Sequence, residues 1–457
     1  METIQTATIR RIPKIKGNLL FGNTFDLVKD PLRFMVDAMG RNERITQIRL
    51  VNRNCYLIFR AEDIKHVLQE NNRNYTKSDA YKAIQLFLGN GLLNSEGDFW
   101  RRQRKLAQPA FHRQRLALLT EPMNRATLAM LRRWEQPDRT QPLNISEETM
   151  KLTLEIVSES LFSADVRKHL DHVSDSLTTI IEYAYDSIHS YVHLPLSIPT
   201  PRNRKYKKSV ERIERLIYEI IAGRQNAKAG DHLDLLGMLM EAQDEETGER
   251  MNPRQLRDEV TTIFMAGHET TANALAWAFY LLAKHPAVAR QVRQEVSEVL
   301  GTEGLPTYEN VRNLSYTTRV IQETLRLYPP AWVIGRKTIA ADQIGGYAIP
   351  AQAPILMSPY AVHRHPEYWP NPDAFDPDNF LPEREKQRPT YAYFPFGGGP
   401  RLCIGNNFAL MEMQVILALT VRQFDFQPTG TQRVIPEPVI TLRPKDGLRL
   451  YLNPVGN

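Results

Sequence analysis

The stretch from Asn252 to Lys284 constrains the fold more than any other part of the chain. Asn252 has the chemistry of a helix N-cap and Pro253 that of a first helical residue. Helical spacing then runs to Lys284, just before His285-Pro286. About 30 residues at 1.5 Å each make a rod of roughly 45 Å, enough to cross a whole molecule. Its middle, FMAGHETTANALAWAFYLLA, is largely apolar. The helix must therefore be buried, and the rest of the chain has to be built around it.

The remaining pattern is mostly helical with small β elements. Residues 45–59 are rich in β-branched and aromatic types and read as two short strands around Asn52-Arg53-Asn54. From about Pro109 to Ala229 the apolar spacing is mainly helical. Pro195, Pro199, Pro201 and the basic run Arg202 to Lys208 interrupt it and read as a surface loop between two helices. Pro and Gly become dense from Pro329 to Gly405, where short strands are expected, for example around Ile344 to Ile349. A last helix is predicted from Asn406 to Val421.

The chain is 42% hydrophobic and 24% charged, the balance of an ordinary globular protein. The net charge of +6 comes without a dense Lys/Arg run with interleaved aromatics, which argues against nucleic acid as a partner. No uncharged run reaches about 18 apolar residues, and the N-terminal residues lack an apolar signal core, so no membrane span and a cytoplasmic location are expected. Two cysteines, Cys55 and Cys403, cannot make a disulfide framework. Cys55 lies in a predicted strand, where a small buried hydrophobe is the usual role.

Cys403 stands in a different setting. FGGGPRLCIG at 396–405 fits F-x-x-G-x-R-x-C-x-G at every fixed position, through Phe396, Gly399, Arg401, Cys403 and Gly405. A chance match is on the order of one in 10⁵ with this composition. A lone cysteine in a turn is most often a buried apolar residue, but this pattern suits a thiolate that must approach an iron from a loop. Glycines let the backbone pass close to a flat macrocycle. A following helix start stabilises the negative sulfur. An electron-rich thiolate favours O–O cleavage, and Arg401 can pair with a propionate.

With this motif the chain resembles the cytochromes P450, and three further motifs extend the resemblance over nearly its whole length. Ala266-Gly267-His268-Glu269-Thr270-Thr271, mid-way along the long helix, is similar to the family's oxygen-activation motif. The resemblance assigns Thr270 and Glu269 to proton delivery, with Ala266 and Gly267 beside the heme. The Thr270 hydroxyl can also take the Ala266 carbonyl and bend the helix. A zinc HExxH reading fails because position 272 is Ala272. Glu323 and Arg326, at i and i+3, resemble the family's buried structural ion pair. Trp100 and Arg104 share a helical face that Asp98 can cap. With Arg336 and Arg401 they resemble the propionate-binding set. Phe375 to Phe380 departs from the family, because Asn379 stands where an arginine is usual. That puts an ion triad in doubt, although Asn379 can still hydrogen-bond.

The resemblance implies a mainly α fold with small β-sheets, a long distal helix over heme b, and the Cys403 loop on the proximal side. It implies a single heme domain over residues 1–457, β-rich near 40–60 and 330–360 and in a C-terminal hairpin. Substrate-contacting positions are expected at Tyr81, Ile84, Phe87 and Leu88, at Ile263 and Phe264, at Ala331, Trp332, Val333 and Ile334, and at Ile440. They are mostly apolar or aromatic, which suits a fatty acid, terpenoid or carotenoid. With no flavin or nicotinamide domain expected, the resemblance implies a monomeric enzyme that takes electrons from a separate ferredoxin or flavodoxin with its reductase. Arg101, Arg102, Arg104, Lys105, Arg113 and Arg115 offer a docking surface for it. The alternatives are an H2O2-using peroxygenase on the same fold and a non-enzymatic heme-thiolate sensor. The acid–alcohol pair Glu269-Thr270 argues against the first.

Overall fold

The structure, a computed structural model, describes residues 11–41, 43–135, 141–189, 195–225, 234–243, 248, 250–430 and 432–456. Contacts divide the chain into two compact units. One joins the residues up to Tyr81 with Leu325–Cys403, and the other joins Lys82–Thr324 with the residues from Ile404 onward.

The first unit is the β-rich one. After a short helix α1 (Thr24–Lys29), strands β1 (Ile45–Leu50) and β2 (Arg53–Ile58) form a hairpin with Ile45 opposite Ile58. The turn falls at Val51-Asn52, not at Asn52 to Asn54 as the sequence suggests. β3 (Tyr75–Lys77), β4 (Ile334–Thr338) and β7 (Pro354–Met357) complete a five-stranded sheet in the order β1-β2-β7-β4-β3. Only the β2–β7 pair is parallel. β5 (Asp342–Ile344) and β6 (Tyr347–Ile349) form the small hairpin expected near 344–349. Ile45, Leu57, Ile58, Ile355 and Met357 are fully buried at its core, and Cys55 is buried with them.

The second unit is helical. It holds most of α2 (Tyr81–Leu88), then α3 (Gly97–Ala107), α4 (Ile145–Phe162), α5 (Pro201–Gln225) and α6 (Pro253–Lys284). Asn252 accepts the amides of Arg254 (3.1 Å) and Gln255 (2.9 Å), and the Gln255 side chain returns to the Asn252 amide (2.8 Å). This capping box fixes where α6 begins. Trp277 and Phe279 are fully buried, as a central helix requires. α7 (Ser315–Leu327) and α8 (Asn406–Gln423) follow. β8 (Phe424–Pro428) pairs with the C-terminal strand, and β9 (Pro436–Pro438) and β10 (Leu442–Pro444) make the C-terminal hairpin.

Two local expectations are corrected. Arg202 to Lys208 are helical, because Pro201 takes the first position of α5 and the Thr200 hydroxyl accepts the Asn203 amide at 3.1 Å. Asp98 lies inside α3, not at its cap. Glu96 occupies the cap, and Asp98 pairs with Arg101 one turn on. The end of the predicted helical stretch, residues 226–229, lies outside the described residues.

Glu323 and Arg326, both on α7, are completely buried. The Arg326 guanidinium forks onto backbone, donating to the carbonyls of His363 (2.9 Å), Pro372 (2.6 Å) and Ala374 (2.7 Å), and it stacks 4.9 Å from the Trp369 ring. A planar fork can reach three carbonyls; an ammonium on a flexible stem cannot hold the same set. Arg326→Lys is expected to lower unfolding stability by at least about 2 kcal/mol, read from the urea midpoint. An unchanged midpoint would show that these carbonyls are satisfied without the guanidinium.

Candidate active site

In the first unit, the Cys403 loop is built by close backbone contact. Gly397 and Gly399 have φ of 74° and 62°, open to glycine and strained for other residues. A Cβ on Gly399 would stand 1.9 Å from the Leu68 carbonyl oxygen, and one on Gly398 would stand 2.3 Å from the Tyr391 ring. Leu68 belongs to a π-helical turn, His66–Glu70, and the Tyr391 hydroxyl reaches the Gln69 side chain of the same turn at 3.0 Å. The Cys403 amide donates to the Phe396 carbonyl at 3.0 Å, closing the loop. Its side chain is exposed, whereas Cys55 is buried and its thiol is pushed up to about 12. Of the two thiols, only that of Cys403 can be offered to a ligand as thiolate. An exposed thiol on a tightly anchored loop fits an iron in a flat macrocycle. Arg336, half-buried on β4, and Arg401 lie in the same unit and supply cations for carboxylates.

In the second unit, α6 divides its faces sharply. Ala266 is exposed and Thr270 half-buried, one turn apart, whereas Phe264, Met265, His268, Glu269 and Thr271 around them are buried. The Thr270 hydroxyl donates to the Ala266 carbonyl at 2.8 Å. Gly267 opens no groove here, since its missing Cβ would stand 3.0 Å from the Val157 side chain of α4. Phe264, expected to meet substrate, is fully buried beside Phe162 of α4 and His268. Both placements have one cause: positions 264, 267 and 268 lie on the packing face. Burial brings His268 down to about 4, which keeps it neutral.

Glu269 is buried and accepts a bond from the Thr441 hydroxyl, which in turn takes the Asn273 amide group at 3.0 Å. Burial raises its carboxyl above the usual range, against the opposing effects of Thr441 and Arg443. Trp100 and Arg104 share a face of α3, with Trp100 buried and Arg104 donating to Gln108 at 3.0 Å. Gly405 caps α8, and a Cβ there would meet only an ordinary contact with Phe111. Phe87, Leu88 and Ile263 are buried in this unit, as are Trp332 and Ile334 in the first. Ile84, Ala331, Val333 and Ile440 are half-buried, and so is Tyr81.

Sequence reasoning missed three buried acids. Asp258 accepts the Asn90 amide at 2.8 Å, and Glu259 the Leu92 amide at 2.9 Å. Gly89 and Gly91 lie so close to α6 that a Cβ would strike Asp258 and Thr262. The two acids thus pin the loop that follows α2. Burial pushes Glu259 up to about 7, with the Leu92 amide opposing and Asp258 reinforcing. Glu412 on α8 is fully buried, and burial raises it well above a normal carboxyl with Thr271 of α6 opposing. Adjacent acids on an apolar helix were the available signal for the first two.

The sequence model described as Cytochrome P450 matches residues 13–450. Cyclooctatin synthase of Streptomyces melanosporofaciens is 36% identical over 427 residues, covering 93% of this chain and 92% of that protein. Cyclooctat-9-en-7-ol 5-monooxygenase of the same organism is 36% identical over 413 residues, with 90% and 88% covered. The crystal structure of the cytochrome P450DA heme domain superposes with a TM-score of 0.89 at 28% identity, over 98% of both chains.

A carboxyl raised on folding contributes stability in its protonated form, fully present below its unfolded value and lost as pH rises through its folded value. For Glu259 that window runs from the ordinary carboxyl range to about 7. Glu259→Gln keeps the acceptor for Leu92 and removes the charge. Its urea midpoint should change less than the wild type's between about pH 5 and about pH 8, with a gain of up to about 3 kcal/mol at the upper end. Parallel pH profiles would rule out a titrating Glu259.

Proposed function

The chain belongs to the cytochrome P450 family, and from that premise we propose that it hydroxylates a large apolar substrate, a terpenoid foremost, with electrons from a separate protein in the cytoplasm. It is a monooxygenase with heme b as cofactor. Fatty acids and carotenoids are the other members of the substrate class. The observation that carries the reading is the exposed Cys403 thiol on a loop whose glycines pack it tightly against the His66–Glu70 turn and Tyr391. The two Streptomyces relatives, one named for oxidising cyclooctat-9-en-7-ol, point to a polycyclic terpenoid alcohol.

When bound, the heme supplies reductive activation of O2 and insertion of one oxygen atom into a C–H bond. In this proposal the Cys403 thiolate would hold the iron. Arg401, Arg336, Arg104 and the Trp100 indole would hold the propionates. Thr270 holds a proton on its hydroxyl at the open face of α6, oriented by the Ala266 carbonyl. Glu269 would act as the nearby acid, since burial raises its carboxyl above the usual range. Tyr81, Phe87, Leu88, Ile263, Trp332, Ile334 and Ile440 would exclude water around an apolar substrate. Arg101, Arg102, Lys105, Arg113 and Arg115 would receive an acidic ferredoxin or flavodoxin, giving a reduction rate that falls with ionic strength. The retained acid–alcohol pair favours O2 with a reductase over H2O2.

The ferrous–CO difference spectrum tests the core of this proposal. A strongly red-shifted Soret band in the wild type and none in Cys403→Ser is expected; a histidine-type carbonyl spectrum would refute thiolate ligation. Thr270→Ala should keep consuming O2 and electrons while hydroxylated product falls at least roughly tenfold. A terpenoid alcohol should shift the ferric spin state on binding, and no shift with any long apolar compound would remove the substrate assignment.

A further inference from the structure

The segment between Lys14 and Lys29 plays no part in the chemistry above. It turns back in a tight hairpin, with the Asn18 amide donating to the Gly22 carbonyl (2.7 Å) and the Gly22 amide to the Asn18 carbonyl (2.9 Å). Gly22, at φ 59°, passes so close to β1 that a Cβ would stand 2.1 Å from the Arg49 carbonyl. The Arg49 guanidinium clasps the turn, donating to the carbonyls of Asn18 (2.8 Å), Leu19 (2.5 Å) and Leu20 (3.2 Å). The backbone of the tip is therefore anchored to the sheet.

What this anchored turn presents is apolar. Leu19 is 89% exposed and Leu20 71%, with Phe21, Phe25 and Val28 exposed next to them. The last three follow i, i+4, i+7 spacing, and the rings of Phe21 and Phe25 lie 4.8 Å apart. Single exposed leucines are ordinary; a contiguous apolar group on a turn clamped by an arginine marks an interaction surface. Exposed Lys14, Lys16 and Lys29 flank it, and from Arg11 to Arg33 five basic residues stand against two acidic ones.

We propose that this hairpin and α1 dock on an anionic lipid surface, with Leu19 and Leu20 entering the boundary between headgroups and acyl chains and the lysines facing the phosphates. A second copy would cover the same side chains. An isologous pairing, however, would bring the Lys14, Lys16 and Lys29 rims of two copies into one interface, which like charge disfavours. A sheet of anionic headgroups satisfies both the apolar tip and its cationic rim. This inference is independent of the substrate and of the route of electrons.

The test uses the full heme-loaded chain, co-sedimented with vesicles of phosphatidylcholine alone and of phosphatidylcholine mixed with phosphatidylglycerol. The wild type should bind the mixed vesicles and release in high salt. Leu19→Ser with Leu20→Ser should weaken binding at least about tenfold, and Lys14→Gln with Lys16→Gln several-fold. Unchanged ferrous–CO spectra would show that both variants fold. The proposal fails if the wild type binds neither vesicle, if it binds both equally, or if the serine variant binds as well as the wild type. It also fails if those serines abolish a concentration-dependent dimer in sedimentation velocity while vesicle binding is absent, which would give the surface to a second copy.

Discussion

The contact on which the first unit depends is one of backbone on backbone. Gly399 meets the Leu68 carbonyl where no Cβ fits, and Gly398 lies under the Tyr391 ring. Both neighbours are tied to one π-helical turn, His66–Glu70, since Leu68 belongs to it and Tyr391 bonds Gln69. Such turns are rare and concentrate at functional sites. The same segment leads to Tyr75, whose hydroxyl shares the Asp342 carboxylate with His66 (2.9 Å) and Asn71 (3.0 Å). One aspartate thus ties β3, β5 and the π-helical turn together. The loop that carries the thiol inherits its position from this network, and burial spares Cys403 while neutralising Cys55.

The second unit accepts a different cost. Its central helix carries Asp258, Glu259 and Glu269, and Glu412 faces it from α8, all of them buried. Isolated buried carboxylates are expensive, and proteins meet the cost by supplying donors or by keeping the proton on. Asp258 and Glu259 receive backbone amides of the 89–92 loop, and Glu269 receives Thr441. Glu412, with Thr271 as its polar neighbour, is pushed well toward the protonated form. The donors are drawn from the loop after α2 and from the turn between β9 and β10, so these acids join the helix to segments distant in sequence.

Much of this was legible in the sequence. The Asn252-Pro253 start of α6 and its end at Lys284 follow from capping chemistry and from His285-Pro286, and the structure places both there. The glycine-rich loop at 396–405 was legible because close backbone approach requires that residue type. The turn between β1 and β2 was not. Val51 adopts φ 52°, a region that disfavours a β-branched residue, and is held there by its amide's bond to the Thr24 hydroxyl at 2.9 Å. A tertiary bond chose the turn over local preference. The helix face that Gly267 occupies was not legible either. Motif spacing says which residues recur together but not which face of a helix each occupies, and Val157 takes the space that Gly267 leaves.

Faces also decide how Glu269 and Thr270 can work together. Successive residues on a helix point about 100° apart, so an acid and an alcohol side by side cannot both look out through one opening. Thr270 lies with Ala266 on the accessible face, whereas Glu269 shares its face with Asn273 and Trp277, all three meeting Thr441 or Leu442. For Glu269 to pass a proton toward Thr270 in the proposed reaction, it must leave Thr441. Asn273 already donates to the Thr441 oxygen and does not accept its proton, so that move leaves a buried hydroxyl donor in need of a new acceptor. Thr441, remote in sequence from the oxygen-activation motif, thus holds the acid in its resting position.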